Sequence, residues 1–99
     1  MEKGGCVYIM SNGHHTTLYI GVTADLPGRT IEHREKIHPK SFTSRYNVTK
    51  LVYYELFHSI EEAIEREKLL KAGSRKKKED IITKFNPQWK DLFDEIKYW

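Results

Sequence analysis

Two tyrosines, an arginine, a histidine and a glutamate are the side chains whose types and order could serve a single reaction. A phenol can give or take a proton beside a reacting water, and its hydroxyl can hold a phosphate oxygen; Tyr8 and Tyr19 supply two. Arg29 offers a planar fork that meets phosphate oxygens bidentately, and His33, four residues on, can shuttle a proton or donate to phosphate. Glu67 adds a carboxylate able to ligate a hard cation. Together these are the parts of metal-assisted phosphodiester hydrolysis. Each also has a plainer reading: half-buried sheet tyrosines, a surface arginine and histidine, and a glutamate that pairs with an arginine or sits at a helix-stripe edge.

The elements that must position these groups are read from periodicity and punctuation. Cys6 to Met10 and Thr17 to Thr23 are short runs rich in Val, Ile, Tyr and Thr, joined by Ser11-Asn12-Gly13-His14-His15, whose Asn-Gly pair favours positive φ and a hairpin turn. Alternation sets Tyr8 on the opposite face from Val7 and Ile9, and Tyr19 and Gly21 opposite Leu18, Ile20 and Val22. With a register centred near Gly13, the two tyrosines become cross-strand neighbours. Gly21 removes a side chain from their face, leaving room for close approach or marking a bulge. Asp25 can cap a helix with Pro27 at its second position, ending near Lys36 and carrying Arg29, Glu32 and His33 on one face.

Ile37 to Asn47 reads as an irregular basic loop, and Leu51 to Phe57 as a third strand, apolar on both faces and therefore expected to be central. Ser59 and Glu62 form a capping box and Gly73 a stop, which predicts a helix over Ile60–Ala72. Its buried stripe runs Ile60, Ala63, Ile64, position 67, Leu70, so Glu67 points inward, where an unpaired carboxylate is costly. Ser74 caps a further helix through Ile81, Ile82 and Phe85. After Asn86-Pro87 the spacing of Trp89, Leu92, Phe93 and Ile96 predicts a closing amphipathic helix.

Composition narrows the classes. Ninety-nine residues accommodate one core, hence one domain over 1–99, and 38% hydrophobic with 31% charged residues is the balance of a folded chain. No apolar run reaches the ~20 residues of a membrane span, and Met1-Glu2-Lys3-Gly4-Gly5 lacks a signal peptide's basic start and apolar stretch, so the expected compartment is the cytoplasm, with no membrane partner. Cys6, the only cysteine, reads as a small core residue. Zinc-ligand spacing is missing around His14, His15 and His38, and there is no Walker loop, dinucleotide fingerprint or nucleophile elbow. The 17 Lys and Arg exceed the 14 Asp and Glu, a net +3 that mildly favours an anionic partner, although the block Arg75-Lys76-Lys77-Lys78 by itself reads more readily as a solvated helix end.

In order and spacing these residues resemble the GIY-YIG nuclease superfamily, and within it the small stand-alone bacterial UvrC-like (endo/excinuclease N-terminal-type) proteins. Val7-Tyr8-Ile9 stands where the family has its GIY element, Leu18-Tyr19-Ile20-Gly21-Val22-Thr23 carries the YIG element, Asp25 to His33 resembles the arginine helix, and Arg66 to Lys71 the segment of the metal-binding glutamate. Phe42 to Tyr46, Leu51 to Glu55 and Asn86 to Leu92 look like the stand-alone subgroup. The resemblance implies an α+β fold, a small three-stranded antiparallel sheet flanked by helices. It also implies a metal-dependent endonuclease hydrolysing DNA, in repair or recombination, with RNA left open. Under it, Glu67 ligates Mg²⁺ or Mn²⁺, Tyr8 acts as or orients the general base, Tyr19 and Arg29 hold the scissile phosphate, and His33 assists proton transfer. Lys40, Arg45, Tyr46, Arg75, Lys76 and Lys77 are the expected DNA contacts, on a monomer or weak homodimer. Two other readings stay open: a non-catalytic nucleic-acid-binding module on the same fold, and a protein-interaction domain using Trp89, Phe93, Tyr98 and Trp99.

Overall fold

The structure, a computed structural model, describes residues 4–99. Strands β1 (Gly5–Ser11) and β2 (Leu18–Thr23) form the expected hairpin. Its loop is closed differently from an Asn-Gly turn: the Asn12 carboxamide oxygen accepts from the amides of Thr16 (2.9 Å) and Thr17 (3.1 Å), and His15, not Gly13, takes positive φ. The loop therefore spans 12–17 and the register centres beyond Gly13, so Tyr8 lies opposite Gly21 and Tyr19 opposite Met10. The tyrosines are diagonal neighbours on one face rather than a directly opposed pair.

Strand β3 (Lys50–Phe57) pairs antiparallel with the other side of β1, giving the order β2-β1-β3. The sequence placed β3 in the centre; the central strand is β1, all seven of whose residues are buried. β3 has apolar residues on both faces because helices cover both, and its outer edge is occupied by the C-terminal segment. Asn86 Nδ2 donates to the Val52 carbonyl (3.1 Å), Leu92 N to that of Leu51 (2.8 Å), and Asp91 Oδ1 accepts from Leu51 N (3.3 Å).

Alternation along β1 feeds two cores. Val7 and Ile9 pack with Ile20, Val52 and, from the helices, Ala63, Leu70 and Ile82; Cys6, Tyr8 and Met10 pack on the other face with Leu26, Val48, Leu51, Leu92 and Ile96. Cys6 is fully buried, and burial with the nearby Asp25 pushes its thiol up to about 12, in keeping with a core role.

Helix α1 (Leu26–Arg34) is capped by Asp25, whose Oδ1 accepts from Gly28 N (3.1 Å), and it stops two residues short of Lys36, which takes positive φ. Inside the expected loop lies a turn of helix, α2 (Phe42–Arg45), capped by Ser41. Helices α3 (Ile60–Ala72) and α4 (Arg75–Phe85) begin at Ser59 and Ser74 as their caps predict. The closing helix is shorter than its pattern: α5 covers Phe93–Ile96 only. Trp89 has positive φ, donates from Nε1 to Thr83 (2.9 Å) and packs with the first core, while Leu92 and Ile96 enter the second. The segment thus wraps around β3, and its apolar spacing serves two faces of the sheet rather than one face of a helix.

Candidate active site

The hairpin and α1 bring the first four candidate residues together. Tyr8 and Tyr19 place their ring centroids 6.2 Å apart, and each lies near the His33 ring, at 5.7 and 5.5 Å. Gly21 explains how Tyr8 fits: a Cβ there would fall 2.5 Å from both Cζ and the hydroxyl oxygen of Tyr8. The ring of Tyr8, not a ligand or a bulge, uses the room that Gly21 leaves; the bulge of the sheet lies between Ile9 and Met10 on the β3 side. Gly21→Ala is expected to cost about 1–3 kcal/mol through overpacking and to push the Tyr8 hydroxyl off its partner. Urea unfolding measures the first effect, and loss of activity beyond the loss of folded protein measures the second.

On α1, Leu26 and Thr30 are buried, which turns Arg29 and His33 toward the tyrosines. The Arg29 side chain is 45% exposed, lies 3.7 Å from Glu32 and with it lines the cleft. His33 is held at both ring nitrogens: Nε2 lies 2.9 Å from the Tyr8 hydroxyl and Nδ1 2.9 Å from Thr43 Oγ1. Thr43, buried on α2, lies 3.3 Å from Ser41 Oγ. A continuous chain Tyr8–His33–Thr43–Ser41 results, running from buried Tyr8 out to the wall of the cleft and able to pass a proton along it.

Tyr19, Arg29, His33 and His38, with Ser41, Phe42 and Thr43, line a cleft of about 200 Å³. Tyr8 is only 1% exposed and lies behind Tyr19 and His33. Burial, and secondarily Tyr19, raises its phenol far above the usual range, against a smaller opposing pull from Arg29. Burial and the Arg29 charge lower His33 below the ordinary imidazole range. The pair is therefore a neutral phenol beside a neutral imidazole near pH 7.

Glu67 enters from α3 on the far side of β2. Its side chain is 17% exposed and pairs with Lys71 at 3.5 Å, so it sits at the edge of a stripe whose centre is Ala63 and Leu70. Among the described residues no arginine pairs with it, and the neighbouring, partly exposed Arg66 pairs with Glu55 at 3.1 Å. Glu67 lies near enough to Tyr8 to raise its pKa, and Lys71 lines a second groove of about 320 Å³ that shares Tyr19 and Phe42 with the cleft.

A family profile, the GIY-YIG catalytic domain, matches residues 4–80, most of the chain. The chain belongs to the GIY-YIG family. No curated protein and no solved structure matches it. The three-stranded antiparallel sheet flanked by helices is consistent with this fold, and membership makes the protein a nuclease-family domain whose substrate is nucleic acid.

GIY-YIG nucleases generally use divalent metals, and the donor set suits a hydrated hard cation. Among the described residues no three His, Cys, Asp or Glu side chains converge as an ion cage. Two carboxylates come near the site, Glu32 on the cleft wall and Glu67, 17% exposed beside Lys71; Mg²⁺ is commonly held by one or two carboxylates with waters and substrate phosphates completing the shell.

The other expected contacts of this GIY-YIG domain are dispersed. Lys40, Arg45 and Tyr46 are exposed around α2. Arg75 donates to the carbonyls of His15 (2.8 Å) and Thr16 (3.0 Å) and to Glu79 (2.8 Å), tying α4 to the hairpin loop; Lys76 lies 3.8 Å from Asp80, and Lys77 is exposed. From the same basic block it is Lys78 that lines the second groove. Sequence reasoning passed over Lys71, Lys78, Ser41, Phe42 and Thr43. The helical period of α4 could have separated Lys78 from its neighbours, but nothing local marks Thr43 as a partner of His33.

Proposed function

We propose that this protein is a divalent-metal-dependent endonuclease that hydrolyses DNA phosphodiester bonds and takes up the proton of the attacking water through Tyr8 and His33. The observation that carries this reading is the hydrogen-bonded chain Tyr8–His33–Thr43, closed at 2.9 Å on both sides of the imidazole, behind a cleft lined by Arg29. Phosphodiester hydrolysis needs a proton acceptor for water, a cationic donor for the phosphate and compensation of developing charge.

Tyr8 does not need to exist as a phenolate. With Nδ1–H of neutral His33 donating to Thr43, Nε2 accepts from the Tyr8 hydroxyl. As water attacks at the cleft, its proton passes to the Tyr8–His33 pair, whose imidazole lines the cleft and takes up the charge at Nε2. Tyr19 and Arg29 hold the nonbridging phosphate oxygens, and Arg29 meets the charge that grows there. Glu67 would hold Mg²⁺ or Mn²⁺; such an ion, when bound, supplies Lewis-acid polarisation of the phosphoryl group and stabilises the leaving oxygen. The resemblance of Phe42 to Tyr46 and Asn86 to Leu92 to stand-alone UvrC-like proteins supports action on structured DNA in repair or recombination, by a cytoplasmic monomer or weak homodimer.

The relay is tested by the pH profile of DNA cleavage. Only neutral His33 accepts a proton, so kcat/KM rises with pH along a limb below the ordinary imidazole value of about 6.5, then stays level through neutrality. Thr43→Val frees Nδ1 and is expected to lower kcat on the order of tenfold with KM little changed, and Thr43→Ser restores the rate. A Thr43→Val protein that cleaves at the wild-type rate with an unmoved limb would remove His33 from the mechanism. DNA binding without cleavage by the wild type would favour the binding-module reading.

A further inference from the structure

The mouth of the site carries two aromatic rings that the proposed chemistry leaves unused. Phe42 and Tyr46, one turn apart, are 47% and 51% exposed, and their rings stand 4.8 Å apart with planes tilted by 42°. Adjacent large rings left open to water mark contact surfaces more often than inert ones. Phe42 in turn lies 6.4 Å from Tyr19 with a 30° tilt, and Tyr19 lies 5.5 Å from His33. The rings therefore form a row leading outward from the proton-transfer pair, with Tyr19 and Phe42 as the wall shared by the cleft and the second groove.

Charge along this row identifies the occupant. Lys71 and Lys78 line the groove, and Arg45 lies on α2 between Phe42 and Tyr46 in sequence. Arg45 and Lys78 form no ion pair with any described residue. Cations beside open aromatic faces suit a polyanion that presents flat apolar rings, which is single-stranded nucleic acid. A continuous duplex hides those faces in its own stack.

We infer that Phe42 and Tyr46 are a stacking platform for an unpaired base next to the scissile phosphate, so that the enzyme selects positions where one strand leaves the duplex. The placement of that phosphate rests on the nuclease reading, but the stacking itself is measurable without cleavage.

The test uses full-length protein carrying Glu67→Gln, in Mg²⁺ buffer. Its affinity is measured for a blunt DNA duplex, for oligothymidine, and for a duplex with a single-stranded overhang whose first unpaired base is 2-aminopurine. The overhang duplex and oligothymidine are expected to bind about tenfold more tightly than the blunt duplex, with quenching of 2-aminopurine. Adding Phe42→Leu and Tyr46→Leu, which keeps apolar volume at both positions, removes the preference and the quenching while the far-ultraviolet circular dichroism of the folded protein holds. Equal affinity for blunt and overhang DNA, or a preference and quenching that survive the two leucines, overturns the platform. Preference and quenching in a protein whose wild type never cuts would keep the platform and overturn the nuclease.

Discussion

Glu67→Gln is expected to leave a folded protein whose Mg²⁺-dependent cleavage of DNA is reduced roughly a thousandfold or more. The substitution keeps shape and hydrogen-bonding capacity but removes the negative charge that would hold the ion, whose polarisation of the phosphoryl group contributes several kcal/mol in the transition state. The fold should tolerate it. The only ion pair Glu67 makes among the described residues is with half-exposed Lys71 at 3.5 Å, and solvent-screened pairs of this kind contribute about 0–1 kcal/mol. Mn²⁺ binding followed by electron paramagnetic resonance should weaken in parallel, separating loss of the ion from loss of structure. If Glu67 serves only to pair with Lys71, cleavage and Mn²⁺ binding will match the wild type and the melting temperature alone will move, slightly.

Arg29→Ala carries the second largest expectation, a fall in kcat of about 10² to 10³, the size seen when one preorganised donor to a developing oxyanion is removed. A change of pH dependence must accompany it. Arg29 is among the causes that depress the His33 pKa, second only to burial. Without that charge the imidazolium is less disfavoured, its pKa rises toward the ordinary value, and the acid limb moves to higher pH. Arg29→Lys restores the charge but not the planar fork, so it should bring the limb back while recovering only part of the rate. Stability follows the same sign: a histidine kept neutral in the fold takes up its proton more readily once unfolded, so the native state weakens as pH falls below about 6.5, and less so in Arg29→Ala. A variant with lowered rate and an unshifted limb would separate Arg29 from His33 electrostatically.

The parts of the fold legible in the sequence are those that local chemistry dictates. Asp25, Ser59 and Ser74 announce three helix starts because each side chain satisfies the amide three residues on. Strand alternation put Tyr8, Tyr19 and Gly21 on one face. What local pattern could not convey was set by distant segments. β3 reads as central because both of its faces are apolar, yet the residues that close its edge, Asn86, Asp91 and Leu92, lie more than thirty positions away. Trp89, Leu92 and Ile96 share a helical spacing but are divided between two cores by a chain that bends at Trp89.

The candidate site divides in the same way. Four of its groups lie on the hairpin and α1, where spacing determines facing. Thr43 and Phe42 reach it only because Ser41 caps a turn of helix inside a segment with no period to read. Glu67 shows how far periodicity extends: it pointed the carboxylate inward, and the helix leaves it at the margin, partly shielded yet reachable, as a ligand to a hydrated ion would need to be.

The most direct measurement is the incubation of purified wild-type protein with end-labelled single-stranded, duplex, flap and junction DNAs, in Mg²⁺, in Mn²⁺ and with a chelator. The expected result is internal cleavage that requires the metal, is abolished by the chelator and is concentrated where single strand meets duplex. Stable binding to the same DNAs with no cleavage in either metal would contradict an endonuclease and leave a nucleic-acid-binding domain on a GIY-YIG fold.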